Sequence, residues 1–485
     1  MKKYNVFKVL LLTLLAAIVV SFLIPQSQLG YSGIEKGVIN PITLWDSVSS
    51  GLTSFSVFVA QFVYILSIGV LYSVLKKSEK YDAAITNTAA KFKKKGLFIV
   101  ISVLTFGLLT AVIGDIMPML IFAPAFIDIA KKLGYDSKRA IAATAGAIIL
   151  GFAGSLNTNY ANQILGTTVS SNIFVKLIAL AIALTLLILF TVIKANPKDT
   201  KLEKKKVKKG LVIPIAFDVI LVLIILGTIP WKTYFGFEGF ESLHTTITEF
   251  KVFDVSLFNV IFGKTLEAFG AWTGYSLILL TLTASVVLGL IFKLKINGTL
   301  EAIANGIKKA LPYALILIFA NLILVAVYNS GFFTTVINSI GGMKDSILSG
   351  TTSSALSAVA YPDYSYASQF TLSTLSTVIS NTDLKVILAV IFQLIYSLVL
   401  LISPTSIVML MALKYEDIRY KDWIKYIYKF FLALLIIFFT IIIIVGFKQV
   451  KTVSYVVLAV LAVILALFII LGLTKGKKTP KKAEK

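Results

Sequence analysis

Apolar runs separated by short, lysine-bearing connectors dominate the chain. The runs fall at about 6–24, 55–75, 97–130, 139–160, 173–193, 211–229, 272–292, 311–328, 351–380, 384–413, 424–447 and 453–473. About 20 apolar residues suffice for a helix to cross a bilayer, so the pattern predicts an all-α polytopic membrane protein. The first run follows Lys2 and Lys3. It is longer than a signal-peptide core and has no small-x-small site before Pro25, so it reads as a retained span.

Charge orients the runs. The connector 76–95 carries seven lysines against Glu79 and Asp82, and 194–209 carries eight against Asp199 and Glu203. The connectors 293–309 and 414–429 and the C-terminal tail are also basic. The positive-inside rule puts all of these, and both termini, in the cytoplasm. The connectors 25–54, 230–270 and 329–350 go outside. The run 97–130 then has lysine-rich flanks at both ends. Two limbs of about 16 residues reach only about 24 Å each, short of the ~30 Å apolar core. A re-entrant hairpin is expected, turning at "VIGDIMP", where Gly114 and Pro118 break the helix. The run 351–380, rich in Ser and Thr, broken at "YPDY" by Pro362 and without a basic flank, is expected to enter from outside. About ten crossings and two re-entrant hairpins result.

The order span, hairpin, broken span, span occurs twice. Residues 55–193 hold the hairpin 97–130 and a span broken at 154–159, "GSLNTN", with Gly151 and Gly154 as helix-breaking residues. Residues 311–447 hold the hairpin 351–380 and a span broken at 403–406, Ser403-Pro404-Thr405-Ser406. The copies start on opposite sides of the membrane. Inverted repeats with interrupted helices at matching positions point to the binding site of a secondary transporter. Residues 1–54 are expected to form a span and external loop, 194–310 a central linker with two spans, and 448–485 an additional span with a lysine-rich tail.

Composition narrows the function. The chain of 485 residues is 58% hydrophobic and 14% charged, with a formal charge of +23. Lysines placed between apolar runs serve topology, so no nucleic-acid partner is expected. There is no cysteine, and the single histidine, His244, falls in a polar stretch where a solvated loop is expected. Disulfides and thiolate metal sites are excluded. No catalytic constellation stands out, so the chain is not expected to be an enzyme, nor to need a cofactor or a resident metal.

The segments "LGYDSKRAIAATAGAIILGFAGSLNTNYANQI" and "LLISPTSIVMLMALKYEDIRYKDWIKYIYKFF" resemble the YfcC branch of the DcuC anaerobic C4-dicarboxylate carriers, related more distantly to the INDY-type and AbgT-type carriers. The resemblance extends over roughly Leu10 to Val445. It implies a homodimer in the cytoplasmic membrane whose hairpins and broken helices move like an elevator. Where the family has paired glutamates before the hairpin proline, this chain has "GDIMP", with Asp115 alone. Where the family has "PSGSGQ", this chain has "YPDYSYASQ", with Asp363, Ser368 and the tyrosines 361, 364 and 366.

Ionisable residues inside a membrane are costly and usually functional. Asp115 and Asp363, one near each hairpin tip, are therefore the leading candidates. Asp128, Lys176 and Asp218 lie nearer span ends and are expected at the interface. Ser155, Asn157, Thr158 and Asn159 at the first break, and Ser403, Thr405 and Ser406 at the second, supply oxygens suited to Na+; Asp115 permits H+ coupling instead. Neither break carries Arg or Lys, so a dicarboxylate has no clamp of the usual kind. The expected function is secondary active transport of a small organic solute. That solute is an amino acid, such as the arginine and ornithine that some members of the family exchange, or a mono- or dicarboxylate. A channel-like pore is the alternative from another class, and a lipid-handling or assembly protein a third.

Overall fold

The computed structural model describes residues 5–449 apart from 31–32, 157–158, 169–171, 194–196, 198–204, 206–210, 343–345 and 380–381. The expected span 453–473 and the basic tail lie outside the described residues.

The described residues are almost all helical. The strands form two ladders, Ser27–Gly30 with Gly33–Lys36 and Lys251–Val252 with Val255–Ser256. Among the described residues six helices are long and apolar enough to cross a membrane: Val59–Lys76, Lys95–Ile113, Ile173–Val192, Gly274–Ile291, Ile296–Ser330 and Tyr420–Gly446. Asn5–Ser21, Val212–Thr228, Phe332–Gly341 and Leu384–Leu400 are shorter apolar helices. A helix meets the need of a chain in lipid, where every backbone polar group must find an internal partner.

Two helices form a frame. Val59–Lys76 packs against Ile296–Ser330 so closely that a Cβ on Gly69 would lie 2.3 Å from Ala310 Cβ, and one on Gly306 only 2.5 Å from Val70 Cα. Small residues let membrane helices approach at backbone distance. The 35-residue helix corrects the expected separation into a connector, 293–309, and a span, 311–328. The helix runs through Pro312, and at 1.5 Å per residue its length is about 52 Å, so its polar first turns extend past an apolar core of ~30 Å. An ion pair of Glu301 with Lys77, at 2.8 Å, ties that extension to the end of the other frame helix.

The first hairpin consists of Lys95–Ile113, a turn, and the returning segments Pro118–Ile121 and Ala123–Lys132. Gly114 ends the first arm at φ +75°, a left-handed conformation that glycine adopts without strain. Pro118 opens the return, where its missing N–H costs nothing. Tyr72 of the frame holds the returning arm. Its hydroxyl donates to Ile121 O at 2.8 Å and accepts from Ala125 N at 3.2 Å.

The second hairpin has arms Ser346–Ala360 and Tyr364–Val378, so it begins five residues before the expected 351. The connector expected at 329–350 contains the helix Phe332–Gly341. Along the first arm Ser349, Ser353, Ser354 and Ser357 are buried, and Ser354 donates back to Gly350 O at 2.6 Å. Hydroxyls that bond the preceding turn can enter a packed helix.

The helix from Ser137 continues through a π turn, Ala142–Gly146, to Gly154; the chain is non-helical at Ser155 and helical again over Asn159–Leu165. The α-helix ends at Gly151 and the 3-10 turn that follows it ends at Gly154, next to the interruption. At Gly151 a Cβ would come 2.3 Å from Gly107 O, and Gly154 faces Leu180, whose Cδ2 would lie 2.6 Å away. Both serve close packing. The second interrupted helix runs Thr382–Leu400, passes Pro404, and resumes over Ile407–Tyr415.

One smaller expectation also changes. His244 lies within the helix Gly239–Glu249, its Nε2 2.8 Å from Leu266 O, and is no free loop residue. Lys176, the fourth residue of Ile173–Val192, is buried at 2% exposure. Asp128 accepts hydrogen bonds from Tyr81 at 2.8 Å and Tyr415 at 3.0 Å.

Candidate functional site

The tips of the two hairpins line one cavity of about 470 Å³, within the range of small-molecule sites. Gly114 and Asp115 come from the first tip, Pro362 and Asp363 from the second, and Gln61 and Asn321 from the two frame helices. Phe152, Leu400 and Ile407 bring the approaches to both helix interruptions to its wall.

Each carboxylate is positioned by its own turn. Asp115 Oδ1 accepts from Met117 N at 2.9 Å, which orients the carboxylate at the turn after Gly114. Its side chain is open to the cavity. Asp363 caps the helix Tyr364–Val378, accepting from Ser365 N at 3.0 Å and Tyr366 N at 3.1 Å. Such a cap satisfies donors that a helix start leaves unpaired. Both carboxylates keep acceptor capacity beyond these bonds. Among the described residues no Lys, Arg or His lines the cavity.

Aromatic residues hold the second tip. Tyr396 donates to Tyr361 O at 2.8 Å. The Tyr364 ring meets Phe152 at 4.5 Å and Tyr396 at 5.5 Å between centroids, both edge to face. Tyr366 lies 5.6 Å from Phe58. The large rings that replace small residues in "YPDYSYASQ" therefore pack the tip against the first interrupted helix and the frame.

The remaining candidates divide. Ser155 is fully buried, and its Oγ has no hydrogen-bond partner among the described residues. Asn157 and Thr158 lie outside the described residues, and Asn159 begins the helix Asn159–Leu165. Ser403 Oγ donates to Ala358 O at 2.8 Å, and Thr405 Oγ1 donates to Val359 O at 2.8 Å. These are the end carbonyls of a hairpin arm, groups that a helix leaves unpaired. Both hydroxyls therefore anchor the hairpin and do not line the cavity. Ser406 is buried at the start of Ile407–Tyr415. Ser368 donates to Tyr364 O at 2.8 Å within its own helix and also lies away from the cavity wall.

Sequence reasoning missed Gln61, Asn321, Gln393 and Tyr396. The first three are amides within apolar stretches, and the criterion applied to the carboxylates, a polar group at membrane depth, would have found them. Gln393 Nε2 donates to Phe152 O at 3.0 Å and Ser155 O at 2.9 Å. Its Oε1 is buried without a partner. Among the described residues no group of three or more His, Cys, Asp or Glu could hold a metal ion.

A second cavity, of about 360 Å³, opens beside the Lys76 end of the frame. Lys76, Lys309, Tyr313 and Tyr415 line it with apolar residues of the first hairpin. Lys76 Nζ lies 3.9 Å from Asp128 Oδ2 and 5.3 Å from the Tyr81 ring centroid.

No curated protein matches the chain. Among solved structures it is similar to the YdaH transporter of Alcanivorax borkumensis, at 14% identity and a TM-score of 0.40, over 92% of this chain and 97% of that one. It is also similar to MtrF of Neisseria gonorrhoeae, reported to illuminate a class of antimetabolite efflux pumps. That match has 13% identity and a TM-score of 0.38, over 90% of this chain and 94% of that one. The family model of the C4-dicarboxylate anaerobic carriers, DcuC, matches residues 5–447, nearly the whole described chain, and the protein belongs to that family of multi-pass membrane transporters of small organic solutes.

Proposed function

We propose that the protein is a secondary active carrier for a small organic solute with a cationic group, an amino acid such as arginine or ornithine. The observation that carries this reading is the wall of the cavity between the hairpin tips, with two carboxylates, Asp115 and Asp363, and, among the described residues, no cationic side chain. An opposite charge nearby stabilises an ionised carboxylate, whereas an anionic solute would add to the repulsion. Hairpin and interrupted helix each occur twice in the same order, which supports an inverted repeat that carries the site past the frame of Val59–Lys76 and Ile296–Ser330. In this reading Na+ is the coupling ion. Ser155 Oγ and Gln393 Oε1, buried and unpartnered beside the first interruption, are oxygens of the type that hard cations take.

One observation favours a second reading, a dicarboxylate. The cavity beside Lys76 and Lys309 offers cations, and the family is described as carrying C4-dicarboxylates. Counterflow in proteoliposomes separates the two. Labelled arginine, ornithine or lysine should exchange against the same unlabelled solutes and saturate, with an imposed Na+ gradient driving accumulation. Exchange of succinate or fumarate, with none of the amino acids, would select the second reading. Accumulation driven by a pH gradient alone would assign H+ to the coupling.

A further inference from the structure

Asn321 lies in the apolar part of Ile296–Ser330 with its side chain fully buried, and among the described residues neither its Nδ2 nor its Oδ1 has a hydrogen-bond partner. Gln61, on the other frame helix, has a buried Oε1 without a partner. Both residues border the cavity that Asp115 and Asp363 enter from the hairpin tips. Buried polar groups are nearly always paired, and one left alone carries its full desolvation cost. Two such amides on one cavity wall have donors and acceptors available for a solute.

Their chemistry differs from that of the tips. A carboxylate only accepts, whereas an amide both donates and accepts. The opposing wall therefore suits an end group that does both, such as an α-ammonium together with an α-carboxylate. The solute's carboxylate would accept from Asn321 Nδ2, and its ammonium would donate to Asn321 Oδ1 and Gln61 Oε1. We infer that Asn321 and Gln61 form a neutral subsite that binds the amino-carboxylate end of a solute whose cationic end faces Asp115 and Asp363. This inference rests on the proposed cationic substrate. It assigns specificity to the frame, while the hairpin tips supply charge. A site built to bond a polar group rejects an analogue that lacks it, because the site's own groups are then left unpaired.

Arginine and agmatine test this directly, since agmatine keeps the guanidinium and lacks the carboxylate. Counterflow is measured for the wild type, Asn321→Leu and Gln61→Leu, together with the melting temperature of each purified protein. In the wild type arginine should be favoured over agmatine by at least about tenfold. Asn321→Leu should raise the KM for arginine about tenfold, bring the two solutes within about threefold, and melt no lower than the wild type, because it removes unpaired polar atoms. Gln61→Leu should show a smaller shift in the same direction. An unchanged preference for arginine in both variants overturns the subsite while leaving the cationic substrate in place. So does a lower melting temperature of Asn321→Leu with the KM unchanged, which marks the amide as structural. A wild type that moves neither solute ends the substrate reading, and the subsite with it.

Discussion

Gln393 and Ser155, 238 residues apart, meet where the first interrupted helix ends: the side-chain amide of Gln393 donates to Ser155 O at 2.9 Å. Its second bond, to Phe152 O at 3.0 Å, means that one side chain of the second interrupted helix pairs two main-chain carbonyls of the first. Gln393→Leu removes both donors while keeping the volume nearly constant. Phe152 O keeps its bond from Ser155 N, at 3.0 Å, whereas Ser155 O is left alone at a cost on the order of 1–3 kcal/mol, so purified protein should melt a few degrees lower and transport should fall. A variant that melts like the wild type would show that Ser155 O has another partner.

Thr405→Val keeps the shape of the side chain but takes the donor from Val359 O. The hydroxyl anchors a hairpin arm and does not touch the cavity, so the variant should lose stability and transport rate while its affinity for the solute changes less than about twofold. Membrane hydrogen bonds contribute about 0.6 kcal/mol on average, so the protein should still insert. A large rise in KM with an unchanged rate would instead put Thr405 among the ligands.

Helix positions were legible in the chain because apolar runs report membrane burial directly. Both carboxylates at the hairpin tips were legible too, as charges where lipid penalises them. The 35-residue helix was not, since Pro312 and the lysines before it read as a boundary, and only packing against the neighbouring helix at Gly69 and Gly306 shows that they continue one rod. The role of Ser403 and Thr405 was also hidden. A hydroxyl beside a proline looks the same in sequence whether it faces a solute or a carbonyl of another segment, and the partners Ala358 and Val359 lie more than forty residues away.

Lys95 and Lys138 flank the first hairpin. The arms run from Lys95 to the turn at Gly114 and back to Lys132, so both flanks should lie on one face of the membrane. The chain contains no cysteine, which makes Lys95→Cys and Lys138→Cys clean reporters for impermeant maleimides in oriented vesicles. Both should label from the same side; labelling from opposite sides would require the segment to cross.

Asp82 accepts from Lys132 at 2.8 Å and also from Lys205. The hydrogen bond from Lys132, and then that from Lys205, hold its carboxyl below the ordinary value of 3.8. With the folded value depressed, the stabilisation is fully present above the unfolded value and is lost as pH falls through the folded one. The side chain is about half exposed, so solvent screening keeps the contribution below about 1 kcal/mol. Asp82→Asn should melt slightly below the wild type at pH 7, and the difference should vanish at acid pH and in about 1 M salt. A difference that widens on acidification would contradict the assigned sign.

Asp115→Asn addresses the charge of the central cavity with little change in shape. The amide oxygen can still accept from Met117 N, as the carboxylate does at 2.9 Å, so the turn should persist and the melting temperature should hold. Equilibrium binding of labelled arginine to purified wild type and Asp115→Asn, measured by scintillation proximity at pH 7, reads the claim that this carboxylate binds the cationic group of the solute. The wild type should bind saturably, and the variant should bind at least about thirtyfold more weakly, a difference of ~2 kcal/mol. Equal affinity of the two proteins for arginine would contradict that claim.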